Sequence, residues 1–200
     1  MNKKELLERL AKKGFKDPIL KAFAEVERGK FLLPEYQRYA YEDAALPIGQ
    51  EQTISQPTTI AFMLTLLNPE NEQKILEVGS GSGYVLALLA AITENSQIYG
   101  TETIKEFVEK ASSRLKSTEN VEIYHTPDSL GLKEKAPFDR ILVSASAAKI
   151  PPALLEQLAE GGIMVCPVEK TIVKIEKRNG EIKTEEYPGF VFVPLVESKK

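Results

Sequence analysis

What this chain has little of excludes several classes of protein. It has one cysteine in 200 residues, Cys166, so no internal disulfide can form, and the neighbouring Met164, Val165 and Val168 mark a buried strand thiol. It has one histidine, His125, and no cluster of His, Cys and carboxylates at ligand spacing, so nothing supports a metal site. Positive charge is not in excess: 26 Lys and Arg face 29 Asp and Glu, for a net charge of −3 and a pI of about 5.5, which leaves no global attraction to nucleic acid. No apolar run approaches the roughly 20 residues that a membrane helix needs. The stretch from Met1 to Arg9 is charged throughout and lacks the apolar centre of a secretory signal. The expectation is a cytoplasmic protein, a monomer, with neither a membrane nor a nucleic-acid partner.

The rest of the composition is ordinary for a globular chain, with 42% hydrophobic and 28% charged residues, and 22.2 kDa suffices for one domain around a single sizeable core. That domain divides into N-terminal helices and a substrate loop (1–57), a cofactor-binding core (58–168), and a C-terminal hairpin and tail (169–200). Leu6, Leu7 and Leu10 share one face of a helix over 3–13, with Gly14 as its stop, and a second helix follows Asp17-Pro18 to about residue 27. From Arg28 to Pro57 no period holds, yet Tyr36, Tyr39, Tyr41, Leu46 and Ile48 make the stretch too apolar for disorder. A long ordered loop of this kind is usually functional.

After a helix over 58–67, the pattern alternates. Strands are expected at 73–78, 97–102, 121–125, 138–144 and 162–168, and helices at 83–93, 104–117 and 151–159. Strands alternating with helices imply an α/β, doubly wound parallel sheet covered on both faces. Thr171–Lys177 and Glu181–Tyr187 flank Asn179-Gly180, a hairpin signal that adds antiparallel strands to one edge. Residues 191–195 suggest one more short strand, and the tail from Glu197 to Lys200 is expected to fray.

The most informative residues run from Lys74 to Tyr84. There an apolar strand enters three alternating glycines, Gly79, Gly81 and Gly83, and then a helix, as at a nucleotide-type cofactor site. A dinucleotide fingerprint requires glycine where Tyr84 stands, so NAD and FAD do not fit. Glu77, two residues before the first glycine, places a carboxylate beside the cofactor, where it suits a cationic group such as an ammonium. Glu102 closes the second strand about 20 residues past the glycines, at the position that binds a ribose diol.

The series Glu77, Gly79, Gly81, Gly83 resembles the E-x-G-x-G-x-G signature of class I S-adenosylmethionine-dependent methyltransferases. A closer likeness lies in the loop. Ala40 to Gly49, followed by Gln52-Thr53-Ile54-Ser55-Gln56-Pro57, is similar to the protein-L-isoaspartate O-methyltransferase family. Arg28-Gly29-Lys30-Phe31, Phe138 to Val143, Ile150 to Leu158, Gly161-Gly162 and Phe192 to Leu195 extend the likeness along almost the whole chain. The resemblance implies methyl transfer from S-adenosyl-L-methionine to the free carboxylate of L-isoaspartyl residues in damaged proteins. The ester then closes to a succinimide, whose hydrolysis partly restores aspartate.

The resemblance makes Ser55 the active-site residue, and we assign its hydroxyl to orienting the acceptor carboxylate, with Thr53 and Ile54 shaping the substrate pocket. It also implies Asp128 and Ser129 near the adenine. A carboxylate is already ionised at neutral pH and needs no general base, so a single histidine is no obstacle. With no histidine placed to activate it, Ser55 is not expected to act as a nucleophile. The structural alternative is that Thr53 and Ser55 merely cap the helix at Pro57.

Four departures from the family pattern stand out. Gln50-Glu51-Gln52 replaces an aromatic or His followed by Gly and Gln, and brings an acid towards a pocket meant for a carboxylate. Thr126-Pro127-Asp128-Ser129 replaces Gly-Asp-Gly-Ser. Thr101-Glu102-Thr103 keeps the acid after the second strand but loses an Arg. The stretch after Pro167-Val168 lacks a short glycine- and glutamine-bearing loop. These departures keep two other readings open: a methyltransferase of the same fold acting on a small molecule or RNA, and a non-catalytic homologue that only binds cofactor or isoaspartate.

Overall fold

In the computed structural model, which describes residues 1–195, the chain opens with α1 (Lys3–Lys12) and α2 (Ile19–Glu25). The tail expected to fray, Glu197 to Lys200, lies outside the described residues. Helix α1 starts on a reciprocal capping box: Asn2 Oδ1 accepts from the Glu5 N–H at 3.0 Å, and the Glu5 carboxylate accepts from the Asn2 N–H at 2.9 Å. Its leucines Leu6 and Leu10 point inward, with Lys4 and Glu8 in solvent. The stretch 28–57, expected to be irregular, contains two 3₁₀ turns and a small antiparallel hairpin, β1 (Leu46–Gly49) and β2 (Gln52–Ile54). The sequence conceals that hairpin because its tip, Gln50-Glu51, holds two positive φ angles, 50° and 57°, without Gly or Asn.

Next come α3 (Pro57–Leu67), β3 (Lys74–Val78), α4 (Tyr84–Ile92), β4 (Gln97–Glu102), α5 (Lys105–Arg114), β5 (Val121–His125) and β6 (Phe138–Val143). The chain continues through α6 (Pro152–Leu155), β7 (Leu158–Val168), β8 (Thr171–Arg178) and β9 (Glu181–Pro188). Seven strands form one sheet in the order β5-β4-β3-β6-β7-β8-β9. The first five run parallel, and β8 and β9 add the antiparallel edge that Asn179-Gly180 announces.

Alternation along the strands sorts the core into two faces. Ile75, Ile98, Leu142 and Val165 pack with α1 to α5 on one face, and Leu76, Val78, Tyr99, Ile141 and Met164 lie on the other. Each fully buried aliphatic side chain contributes about 1.5–3 kcal/mol. Helices cover the first face. The second is closed by loops and by α6, which is one turn long where the sequence suggests a helix over 151–159.

Sheet pairing shortens that helix. Leu158 is already paired with Phe138 in the sheet, and the next pair is Arg140 with Ile163, so residues 159–162 bulge outward. A Cβ on Gly162 would sit 2.8 Å from the Ala159 carbonyl oxygen. The strand expected at 191–195 is a single bridge, in which Ser146 N–H donates to Val193 O and Leu195 N–H to Ser146 O, each at 2.8 Å.

Candidate active site

Strands β3, β4 and β6 end side by side. The order of strands reverses at β3, between β4 on one side and β6 on the other, and an open parallel sheet leaves its crevice at such a point. The glycine loop 79–83 fills the start of that crevice, with φ of 79°, 50° and 84° at its three glycines. A Cβ on Gly81 would stand 3.2 Å from Ile48 Cδ1 of the β1–β2 hairpin, and one on Gly83 would stand 3.0 Å from Ala111 Cβ of α5. Glycine therefore lets the hairpin and α5 close onto the loop. The loop is tied down by β4, since Gly79 N–H and Ser80 N–H donate to Thr101 O at 2.8 and 3.1 Å.

Glu102 completes that tie. Its Oε2 accepts from Gly81 N–H at 2.9 Å, and its Oε1 accepts from the N–H groups of Thr103 and Ile104 at 2.7 and 3.0 Å. The side chain is buried rather than a solvated strand-end acid, and it joins the glycine loop to the start of α5.

Glu77 is held differently. It is 1% exposed, with Gly100 and Leu142 as its neighbours across the sheet. Ser144 Oγ donates to its Oε1 at 2.7 Å, and Oε2 is buried without a hydrogen-bond partner. Burial pushes the Glu77 carboxyl up to about 8, and the charge of Glu102 adds to the rise; the Ser144 hydroxyl and the Leu86 N–H oppose it. A bare, buried carboxylate oxygen at the mouth of a glycine loop fits the cationic ammonium of an amino-acid cofactor.

Three cavities meet here. One of about 490 Å³ is lined by Glu77, the glycine loop, Ser55 and Met63. A second, of about 730 Å³, reaches Glu102, Ile104, Phe107, Thr126 and Ser129. A third groove runs past Ser55, Gln56, Thr59 and the segment 189–193. Thr53 and Ser144 line all three, so the cavities adjoin at these two residues.

Ser55 stands where the first cavity meets the groove, and Ile54, buried behind it, lines the first cavity alone. Ser129 lines the second cavity, whereas Asp128 is exposed and lines none of the three. His125 is exposed, its Nε2 3.0 Å from Thr103 O. Among the described residues no group of three or more His, Cys, Asp and Glu is placed to hold a metal ion.

The family model described as protein-L-isoaspartate(D-aspartate) O-methyltransferase matches residues 1–200. The chain belongs to that family. It is 41% identical to a protein-L-isoaspartate O-methyltransferase of Dictyoglomus turgidum, over 96% of this chain and 90% of that one. It is 42% identical to one from Vibrio vulnificus, over 94% and 92%. A solved Plasmodium falciparum structure of the same description, in complex with S-adenosyl-L-homocysteine, superposes with a TM-score of 0.82 at 28% identity, over 98% of this chain and 99% of that one.

Within this isoaspartate methyltransferase frame, several residues that bear on the site escape a reading of the sequence. Asp43 caps α3: its Oδ1 accepts from Thr58 N–H at 2.9 Å and its Oδ2 from Thr58 Oγ1 at 2.6 Å. The N-cap residue of α3 is Gln56, with no side-chain cap bond, so neither Thr53 nor Ser55 serves as that cap. Ser144 is the first residue past β6, and the parallel pairing of β3 with β6 is the signal that would have found it.

Gln157 pins the loop carrying Ser129, since its Oε1 accepts from Leu132 N–H at 2.7 Å and its Nε2 donates to Leu130 O at 3.0 Å. Glu51, expected near the acceptor pocket, instead sits exposed at the hairpin tip and lines none of the three cavities. There it occupies with a φ of 57° the place where the family pattern has glycine.

Proposed function

We propose that the adjoining cavities work as one methyl-transfer site, with cofactor in the two inner cavities and the isoaspartyl segment in the outer groove. The protein is an S-adenosylmethionine-dependent protein-L-isoaspartate O-methyltransferase, a member of a family whose substrates are isoaspartyl-containing proteins. The observation that supports the site reading is the sharing of Thr53 and Ser144 among all three cavities, which sets donor and acceptor sites side by side.

Glu77 Oε2 receives the ammonium of the cofactor, and the free lone pairs of Glu102 receive its ribose hydroxyls. Gly79, Gly81 and Gly83 shape the loop around it, and Ser129 borders the adenine end. Asp128 would reach that end only by turning inward. Bound S-adenosyl-L-methionine supplies an electrophilic methyl group on its sulfonium.

On the acceptor side, the isoaspartyl carboxylate arrives ionised, since an ordinary carboxylic acid has a pKa near 4. Ser55 Oγ–H donates to one of its oxygens and leaves the other aimed at the inner cavity. Thr53 lines that groove, and Ile54 shapes the inner cavity just behind Ser55, where Ile60, Met63 and Phe192 exclude water. Rate then comes from orientation in a dry site rather than from proton transfer.

We further read the chain as a single domain acting in the cytoplasm as a monomer on damaged proteins, and not on nucleic acid or membranes. The net charge of −3 supports this, as does a cleft lined without Lys, Arg or His. No helix among the described residues is long and apolar enough to cross a membrane. The test is transfer of labelled methyl from S-adenosyl-L-methionine to an isoaspartyl peptide, with the matching aspartyl peptide as control. Transfer to the first alone is expected. Cofactor binding without transfer to the isoaspartyl peptide would overturn the reading.

A further inference from the structure

Arg28 heads the fully buried side chains by volume and is 1% exposed, yet it forms no salt bridge among the described residues. Its guanidinium is spent on carbonyls. Nη1 donates to Ala40 O at 2.8 Å and Glu42 O at 3.2 Å, and Nη2 donates to Ala44 O at 2.9 Å and Ser55 O at 3.1 Å. Nε has no partner. Burial lowers the Arg28 pKa to about 10, with Asp43 acting against the shift, so the group stays charged at neutral pH.

A buried charge without a paired carboxylate is a costly way to fill space, and an aliphatic side chain would pack there at less expense. The return is geometric. Four carbonyls, drawn from residues 12 to 27 positions away, converge on one planar fork, and Ser55 is the last of them. A guanidinium can serve them together because its donors diverge in a fixed plane, which a lysine ammonium cannot reproduce. Asp43, inside the same loop, ties that loop to α3 through Thr58, so the backbone of Ser55 is fixed from two sides.

We propose that Arg28 is a positioning residue for the acceptor site: from inside the protein it fixes the Ser55 backbone, and through it the hydroxyl that orients the isoaspartyl carboxylate. This rests on the role given to Ser55 above. Arg28 touches neither substrate nor cofactor, since it lines none of the three cavities.

The test compares wild type, Arg28→Lys, Ser55→Ala and the double variant, measuring kcat/KM for an isoaspartyl peptide and the Kd for S-adenosyl-L-homocysteine, with thermal melts to confirm folding. Arg28→Lys is expected to lower kcat/KM by at least tenfold and to leave the Kd within twofold. In the Ser55→Ala background the same change is expected to cost less than twofold, because partners in one unit do not add. Full activity of Arg28→Lys, an equal loss in both backgrounds, or a matching loss of cofactor affinity would overturn the proposal.

The two readings fail separately. Impaired Ser55→Ala beside normal Arg28→Lys removes only the role of Arg28, whereas full activity of Ser55→Ala removes the role of Ser55 and this proposal with it. If Arg28→Lys does not fold, Arg28→Gln is judged by the same criteria. Failure of both to fold would make Arg28 a determinant of the fold alone and overturn the proposal.

Discussion

Glu77 and Glu102 stand at the carboxyl ends of adjacent parallel strands, next to last and last, are both buried, and are held in opposite ways. Glu102 has its two oxygens engaged by three backbone N–H groups, from Gly81, Thr103 and Ile104. Glu77 has one oxygen on Ser144 and one on nothing. The first carboxylate is fixed by the backbone before any ligand arrives, with only its remaining lone-pair capacity left for a ribose. The second is a binding group, whose burial is compensated only when a cation reaches it. The same residue type, one strand apart, can build a site or wait in it, and the count of partners tells which.

The sharpest way to break this contrast is to neutralise each acid in turn. Glu77→Gln keeps the shape and removes the charge, and is expected to weaken cofactor binding about 100-fold, the scale of losing a buried charge-assisted contact worth roughly 3 kcal/mol. It should not destabilise the cofactor-free protein. The folded Glu77 carboxyl, at about 8, lies above its ordinary value of 4.5, so the folded state holds a proton that the unfolded state has lost between those values. Stability from this group is full below the ordinary value and falls as pH rises towards about 8. At pH 8 or above, Glu77→Gln therefore melts higher than wild type.

Glu102→Gln is expected to do the reverse to the fold. One end of the amide would present hydrogens to backbone donors, at a cost of about 2–4 kcal/mol. Denaturant titration at pH 8 checks both, and equal destabilisation by the two variants would erase the distinction.

Ser55→Ala probes the acceptor side, which neither acid touches. It should lower kcat/KM for an isoaspartyl peptide by about 10–100-fold, as for loss of a hydrogen bond to a charged group, with cofactor affinity unchanged in calorimetry. Glu51 is the control acid, beside the site in sequence and outside it in space. Glu51→Gly is expected to stabilise the protein by about 1 kcal/mol, by relieving a left-handed backbone at a non-glycine residue, and to leave activity as it was. A loss of activity would mean that the hairpin tip does more than turn the chain.

The cofactor half of the site is legible because it is local. Strand, glycine loop and helix follow one another between Lys74 and Ile92, and the glycines encode the turn by themselves. The acceptor half is not local. Arg28 meets Ser55 across 27 positions and Asp43 reaches Thr58 across 15, and even in the cofactor half the partner of Glu77, Ser144, stands 67 positions away. No periodicity records such pairings, and only the likeness of the loop to a known family pointed to Ser55. The helix expected over 151–159 fails for a related reason: Leu158 takes its place from β6, a partner that helical spacing cannot reveal. The Thr126–Ser129 turn shows the limit of motif transfer, since Ser129 meets the cleft while Asp128 faces solvent.

Proton counting tests the waiting role of Glu77 most directly. S-adenosyl-L-homocysteine binding is measured by calorimetry at pH 6.5 in buffers of different ionisation enthalpy, for wild type and Glu77→Gln. The account predicts about one proton released on binding to wild type, where the carboxyl must ionise to meet the ammonium, and about none for the variant. Equal proton release by the two proteins, or equal affinity, would contradict it.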